Sequence, residues 1–563
     1  MSFFLRVTSR PKGLYLQICQ TIYNRETKLS SNKSFKVLGY ADSYKSLYDD
    51  PVSHFKKVVE EMNLKEKEEQ ALKVSDTTPI NLNIGCFLIK AMLNTLGVKK
   101  DLDLMGKGFK FEKSISSFIE AMIDCQIVKP SSKFKNAKDI IPSLYGLPSF
   151  NEDQIYRMIK FIGSNYKKYI ELFNYHISET FKRDYRHVFF DCTNYYFEID
   201  LPKEDKQKGP SKENRKEPII GQALLLDGNQ IPLAMEMYPG NASEKPYIRK
   251  LIEETKERLH IRGKTIQVAD KGLNCARNIY FATKEANDGY VLSKSVRGNS
   301  LPSIEKEWVL LDNEYNIWHE IKDDGGNLIY KYKECIDTFD YEFVDDEGKK
   351  VRFKQREKRV VTYNPSLASK QIREIDKQVD KVVKLSSIKG IKRNEYGDAV
   401  KYVKFGKDVE VGLDFEKIEE DKRYAGYNLI VTSETNLKAE EIYRIYHGLW
   451  RIEESFRITK SYLEARPVYL QTKESIYGHF LICYLSLTLL RLLEFYIFKN
   501  ELNTADLVKY IRQFNVTKTG ERYISNILNS PTLQKIKETT QISILDNLYL
   551  THKNLQNLFD YEF

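Results

Sequence analysis

With 563 residues, 41% hydrophobic and 30% charged, the chain is too long for one ordinary core and too apolar for a disordered segment, so roughly three domains are expected. Lys and Arg (89) exceed Asp and Glu (79), and the net charge of +10 suits a polyanionic partner as readily as a mildly basic globular protein. The 7 cysteines are odd in number and include no CxxC pair, which argues against a disulfide framework and a zinc site and for a reducing cytoplasm.

Residues 1–50 alternate apolar and polar positions (LYLQICQTIY, SFKVLGY) and are predicted to form a small β unit. No apolar segment of signal-peptide length opens the chain. Over residues 51–181 the period turns helical, in ISSFIEAMIDCQIV and IYRMIKFIG; this region either binds DNA or packs. Residues 182–296 read as the first part of an α/β core: the strand HVFFD, a charged hinge LPKEDKQKGPSKENRKEP expected to be a mobile tip, and a hairpin about Asp227-Gly228. A helix capped by Ser243, the strand TIQVAD, a helix and the strand DGYVLSKSV complete it.

Residues 297–423 break the pattern with strand-like pieces, DDGGN and DDEG turns and a charged stretch QIREIDKQVDKVVKL, and read as a β-rich insertion. Residues 424–500 resume the core with the strand YAGYNLIVTS and a long helix broken near Gly448. The apolar run at 480–498 is interrupted by Arg491 and Glu494 and is expected to be a buried core helix rather than a membrane span. Residues 501–563 are expected to be helical and to serve dimerisation. The fold class is α/β, a mixed sheet flanked by helices and interrupted by the insertion, with a β/α N-terminal region.

Three acids stand apart by position. Asp191 ends the predicted strand HVFFD, Asp270 ends the predicted strand TIQVAD, and Glu453 lies on the helix after the last strand. Acids at the ends of neighbouring strands of an α/β sheet can share a site, because ligands gather there. Phosphodiester cleavage needs carboxylates that hold a pair of Mg²⁺ ions (Mn²⁺ as a substitute), since hard cations take oxygen ligands. Each acid singly reads as well as a turn residue, a helix cap or a solvated face. Glu453 and Lys460 lie nearly two turns apart, hence on one helix face. Tyr446 and Lys460 suit contacts to a DNA backbone, by a hydroxyl and a charge. Trp450 suits either stacking on a displaced base or core packing. Thr193 and Asn194 either orient Asp191 or satisfy buried hydrogen bonds. The basic run KKVRFKQREKR at 349–359 is either an edge strand on DNA or a solvated edge blunted against aggregation. His447 and His479 lack partners at metal-ligand spacing and receive no role.

Several segments then carry a resemblance, in order along the chain. They are VFFDCTNYYFE; Ser211-Lys212, Gln222, Asp227-Gly228, Pro232 and Gly240-Asn241; Ala269-Asp270-Lys271-Gly272; and Tyr446, Glu453 and Lys460 in the spacing Tyr-x6-Glu-x6-Lys. From His187 to about Leu493 the chain resembles DDE transposases of bacterial insertion sequences, with an RNase H-like core. More narrowly it is similar to the IS-four superfamily, whose third acid lies in a Tyr-x2-Arg-x3-Glu-x6-Lys signature. Leu449 occupies the Arg position, leaving Arg451 or Arg457 to supply that charge.

The resemblance implies Asp191, Asp270 and Glu453 as catalytic residues and ligands of two metal ions, with Tyr446, Trp450, Arg451, Arg457 and Lys460 on DNA. It implies recognition of terminal inverted repeats, strand hydrolysis at each end, attack on target DNA by the freed 3′-OH, a homodimer across the paired ends, and action at the bacterial nucleoid without a membrane. The alternatives are an RNase H-like nuclease without transposition and a silent DNA-binding relic.

Overall fold

The segment IIGQALLL has no polar face for water, and it forms a strand, Ile219–Leu226, with every residue buried. In the computed structural model, which describes residues 2–24, 29–71, 81–213, 215–297, 301–312, 317–386, 392–405 and 411–563, this strand belongs to a nine-stranded mixed sheet. In chain order its strands are β1 (His187–Tyr196), β2 (Ile219–Leu226), β3 (Pro232–Pro239), β4 (Ile266–Ala269), β5 (Gly289–Lys294), β6 (His319–Lys322), β7 (Leu328–Val344), β8 (Lys350–Tyr363) and β9 (Tyr427–Thr432). Across the sheet they run β6-β7-β8-β9-β5-β4-β1-β2-β3. Strands β1, β4 and β5 are parallel, and the other pairings are antiparallel.

The predicted hairpin is β2–β3. Its turn is fixed by Asp227, which accepts the Ile231 amide (2.9 Å) and pairs with Arg183 (2.7 Å). Both side chains are essentially inaccessible to water. Loss of either partner would strand a buried charge, at about 3–5 kcal/mol.

Side chains alternate across β1. Val188, Phe190 and Cys192 share a core with Ile248, Leu251 and Ile252 of the helix Lys245–Arg258. On the other face Tyr195 meets Phe480 at 4.6 Å between ring centroids. Phe480 belongs to the helix Lys473–Leu492, which is buried from Ser475 to Leu492. This helix is long and apolar enough to cross a membrane, yet it lies in the protein core. It crosses the helix Glu152–Ser164 at Gly163 and Gly478, where a Cβ on either would collide with the carbonyl of Glu474 or of Ile159.

The compact units do not follow the boundaries read from sequence. One unit comprises residues 86–141, 147–511 and 561–563 and contains the whole nine-stranded sheet. The helices expected as an N-terminal region are therefore mostly part of the core unit. The insertion at 297–423 is not a separate β domain: its strands β6, β7 and β8 extend the core sheet through the β8–β9 pairing. Its second half is largely helical, with Pro365–Ser386 and Phe415–Arg423 sharing a small core of Ile375, Val382, Tyr396, Tyr402 and Ile418. QIREIDKQVDKVVKL looked merely charged because only a narrow apolar stripe is needed to pack that helix.

The basic run is a sheet edge over most of its length, because β9 pairs with β8 only from Lys358 onward and residues 350–357 have β7 as their one strand partner. Arg359 and Lys358 are buried and ion-paired, with Glu305 and Glu357 and with Glu334. Lys350, Arg352 and Lys354, where only β7 is the partner, are exposed. The hinge expected to be mobile also packs. Lys206 is buried and donates to the Gln471 carbonyl (2.9 Å), and Asp205 accepts from Tyr477 (2.5 Å) and pairs with Lys473 (2.9 Å). Charge excludes a segment from packing only when it finds no partner.

The other unit comprises residues 1–85, 142–146 and 512–560. The predicted β unit is an antiparallel meander of Ser2–Arg10, Gly13–Asn24 and Leu29–Tyr40, followed by the helix Pro51–Ala71. The C-terminal region was expected to be helical. It holds the helices Thr504–Gln513, Pro531–Thr540 and His552–Phe559, and beside them it contributes the strands Asn515–Thr519, Arg522–Ser525 and Tyr549–Thr551 to a four-stranded sheet completed by Asn81–Asn83. Those strands are too short for an alternating pattern to declare itself.

Candidate active site

Asp191 does not end its strand, because β1 continues to Tyr196. It lies just beyond the parallel pairing with β4, whose last register pair is Phe190 with Ala269. One step further along each chain come Asp191, still on β1, and Asp270, just past the end of β4. The same step on β5 brings Ser293 beside Asp270, since Ala269 pairs with Leu292. The Ser293 hydroxyl donates to Asp270 Oδ1 (3.0 Å), and so does the Tyr446 hydroxyl (3.2 Å).

Glu453 reaches the same place from a helix. The chain turns at Gly448 and Leu449 between the helices Ala439–His447 and Trp450–Arg457. A Cβ at Gly448 would fall 2.8 Å from two ring carbons of Phe189, the neighbour but one of Asp191 on β1. Glycine thus sets how closely the Glu453 helix approaches the Asp191 strand. Behind that helix, Arg491 has no solvent-exposed surface. It donates to Glu454 (3.0 Å), the Arg451 carbonyl (3.3 Å), Ser455 (3.3 Å) and Glu494 (2.8 Å).

Asp191, Asp270 and Glu453 line one cleft of about 520 Å³, with Lys271, Lys294, Arg297, Tyr446, His447 and Trp450 among its walls. Burial, then Glu244 and Asp270, push the Asp191 carboxyl up to about 6, against the lowering effect of Lys212 and the Cys192 amide. Partial burial and the charge of Asp270 raise Glu453. Asp270 is thus the acid both others feel. Burial raises the Tyr446 hydroxyl, keeping it a donor to Asp270. Among the described residues no three His, Cys, Asp or Glu side chains converge on a single ion. Two ions call for pairs of carboxylates instead, and a set of oxygen donors that repel one another through Asp270 fits hard divalent cations.

The DNA-contact candidates divide. Tyr446 and Trp450 line the cleft, and Trp450 is 51% exposed. Arg451, Arg457 and Lys460 lie outside it. Arg451 stacks on Trp450 and Phe495 (4.6 and 4.9 Å), and Arg457 pairs with Glu454 (3.3 Å) on the surface. Neither replaces the charge absent at Leu449, which is buried; the cleft's cations are Lys271, Lys294 and Arg297. Lys460 stands in a π-helical turn, Ile458–Tyr462, and pairs with Glu213 (3.1 Å). Asn194 does not touch Asp191: it binds the Pro210 carbonyl (3.1 Å) and the Lys212 amide (3.2 Å), while Thr193 is simply buried.

Sequence reasoning missed Ser293, His447 and Glu244. Ser293 became legible only through strand register. His447 was set aside for want of metal-ligand spacing, although it adjoins the signature tyrosine. Glu244, rather than Ser243, precedes the helix Lys245–Arg258, and it faces Lys212 at 3.5 Å.

Among solved structures, a piggyBac transposase synaptic complex with hairpin DNA, determined by cryo-EM, is similar at 9% identity and a TM-score of 0.34, covering 84% of this chain and 84% of that chain. At that score the likeness carries no detail of fold or activity. No curated protein matches the chain. The family described as Transposase DDE domain matches residues 182–489, which span β1 to β9 and all three acids, and the chain belongs to this family.

Proposed function

We propose that this chain is a cut-and-paste DNA transposase of the IS-four superfamily, acting on the terminal inverted repeats of a bacterial insertion sequence. The observation that carries this reading is the convergence of Asp191, Asp270 and Glu453 on one cleft. The strand order β3-β2-β1-β4-β5, with β2 antiparallel to β1, supports an RNase H-like core. Tyr446, Glu453 and Lys460 keep the superfamily's spacing, although Leu449 replaces its arginine.

Asp191, Asp270 and Glu453 would hold two Mg²⁺ ions, with Asp270 between the other two and Glu244 beside Asp191. Bound there, the ions supply Lewis acidity to the attacking oxygen and neutralise charge at the leaving one. The chain's own residues do the rest. Ser293 and Tyr446 fix the Asp270 carboxylate by donating to it. Lys271, Lys294 and Arg297 offer the phosphate backbone positive charge from the cleft wall, and Trp450 offers an exposed ring to a base. Two copies would bridge the two ends of the element at the nucleoid, in a homodimer that also captures target DNA.

The test is cleavage of duplexes that carry the element's own ends. With Mg²⁺ the parent should nick at the repeat boundary. Asp191→Asn and Glu453→Gln should bind the same duplex with parental affinity and cleave it at under about a hundredth of the parental rate. Cleavage by either variant at the parental rate would end this reading.

A further inference from the structure

Two successive residues in the segment between β1 and β2 send opposite charges in different directions. Lys212 donates to the Cys192 carbonyl and lies 3.7 Å from Asp191 and 3.5 Å from Glu244. Glu213 spreads its carboxylate between two cations, with Oε1 3.1 Å from Lys460 and Oε2 3.0 Å from Arg466. The Arg466 guanidinium also lies 4.6 Å from the Tyr196 ring centre. Asn194 pins the backbone here through Pro210 and Lys212, and Ser211 accepts the Glu213 amide (3.2 Å).

Two cations that each serve one oxygen of the same anion match the two non-bridging oxygens of a phosphodiester. A cation between two carboxylates likewise relieves their repulsion. We infer that Lys460 and Arg466 form a single phosphodiester subsite, which Glu213 fills as an internal stand-in until DNA displaces it. From the same segment Lys212 neutralises Asp191 and Glu244. Because Lys212 and Glu213 are adjacent, displacement of one by DNA loosens the other, so that entry of the backbone also opens Asp191. This inference rests on the DNA reading above and adds that the chain competes with its own substrate.

Glu213→Gln keeps the shape and removes the charge. By fluorescence anisotropy it should bind a labelled duplex about tenfold more tightly than the parent. Glu217→Gln removes an equal charge from the same segment and should gain less than about twofold. In an Arg466→Gln background the gain from Glu213→Gln should fall below about twofold, since one arm of the subsite is gone. Melting temperatures confirm that each variant is folded, and Glu213→Ala replaces Glu213→Gln if that variant is not. Unchanged affinity in Glu213→Gln, a gain matched by Glu217→Gln, or a gain that survives Arg466→Gln would overturn the inference while leaving the DNA reading intact. Failure of the parent and every variant to bind duplex would overturn both.

Discussion

A free aspartate ionises near 3.8, whereas burial, then Glu244 and Asp270, push Asp191 up to about 6 even with Lys212 at hand. The folded chain holds that proton more tightly than the unfolded one. Its contribution to stability is therefore whole below about 3.8 and is lost as pH rises through about 6. The loss is on the order of 3 kcal/mol. In EDTA, Asp191→Asn should match the parent's melting temperature at acid pH and exceed it by several degrees at mildly alkaline pH. Adding Mg²⁺ should then raise the melting temperature of the parent and leave that of the variant nearly unchanged. A constant gap between the two proteins across pH would show that Asp191 is not held in this unfavourable state. The acids themselves were legible because each follows or adjoins an apolar run. Their neighbours were not. Ser293 meets Asp270 through strand register, and Glu213 meets Lys460 and Arg466 across an ion-pair geometry that no local spacing encodes.

At the scale of elements, the Glu453 helix is held from two sides. Gly448 admits it against Phe189, and Arg491 ties it from behind through Glu454, Ser455 and the Arg451 carbonyl. The break at Gly448 was legible as a glycine inside a helical pattern. The role of Arg491 was not, because in sequence it only interrupts an apolar run. The π turn at Ile458–Tyr462 was equally hidden, since an i, i+4 pattern carries straight through it. Gly448 has ordinary helical backbone angles, so its constraint is space rather than conformation. Gly448→Ala should push the Trp450–Arg457 helix away from β1 and destabilise the protein by about 1–3 kcal/mol. Cleavage should fall much further than DNA binding, because Glu453 moves while the wall cations stay. Trimming the opposing ring with Phe189→Leu should restore part of both stability and cleavage. If Gly448→Ala is unaffected in urea unfolding and in cleavage, the close approach does not set the position of Glu453.

At the scale of the whole molecule, the sheet was readable strand by strand from residue 187 to 296 because its strands are apolar, mostly buried and separated by clear turns. Domain boundaries were less readable, since a compact unit need not be continuous in sequence. Residues 512–560 show this best. Their strand Asn515–Thr519 pairs with Asn81–Asn83, and the amides of Ile84 and Gly85 both donate to the Phe514 carbonyl, at 2.9 and 3.0 Å. Segments more than 400 positions apart thus complete one sheet, and each leaves the other with unpaired strand edges if it is removed. The two compact units make this separable by hydrogen exchange. In a chain ending at Ile511, amides of residues 81–85 should exchange at least about a hundredfold faster than in the parent. Amides of Ile219–Leu226, second from one edge of the nine-stranded sheet and paired on both sides, should keep their protection, because their partners β1 and β3 remain. Retained protection at 81–85 would mean that the short strand is held without its C-terminal partner. Loss at Ile219–Leu226 would mean that the unit with the nine-stranded sheet needs the other unit in order to fold.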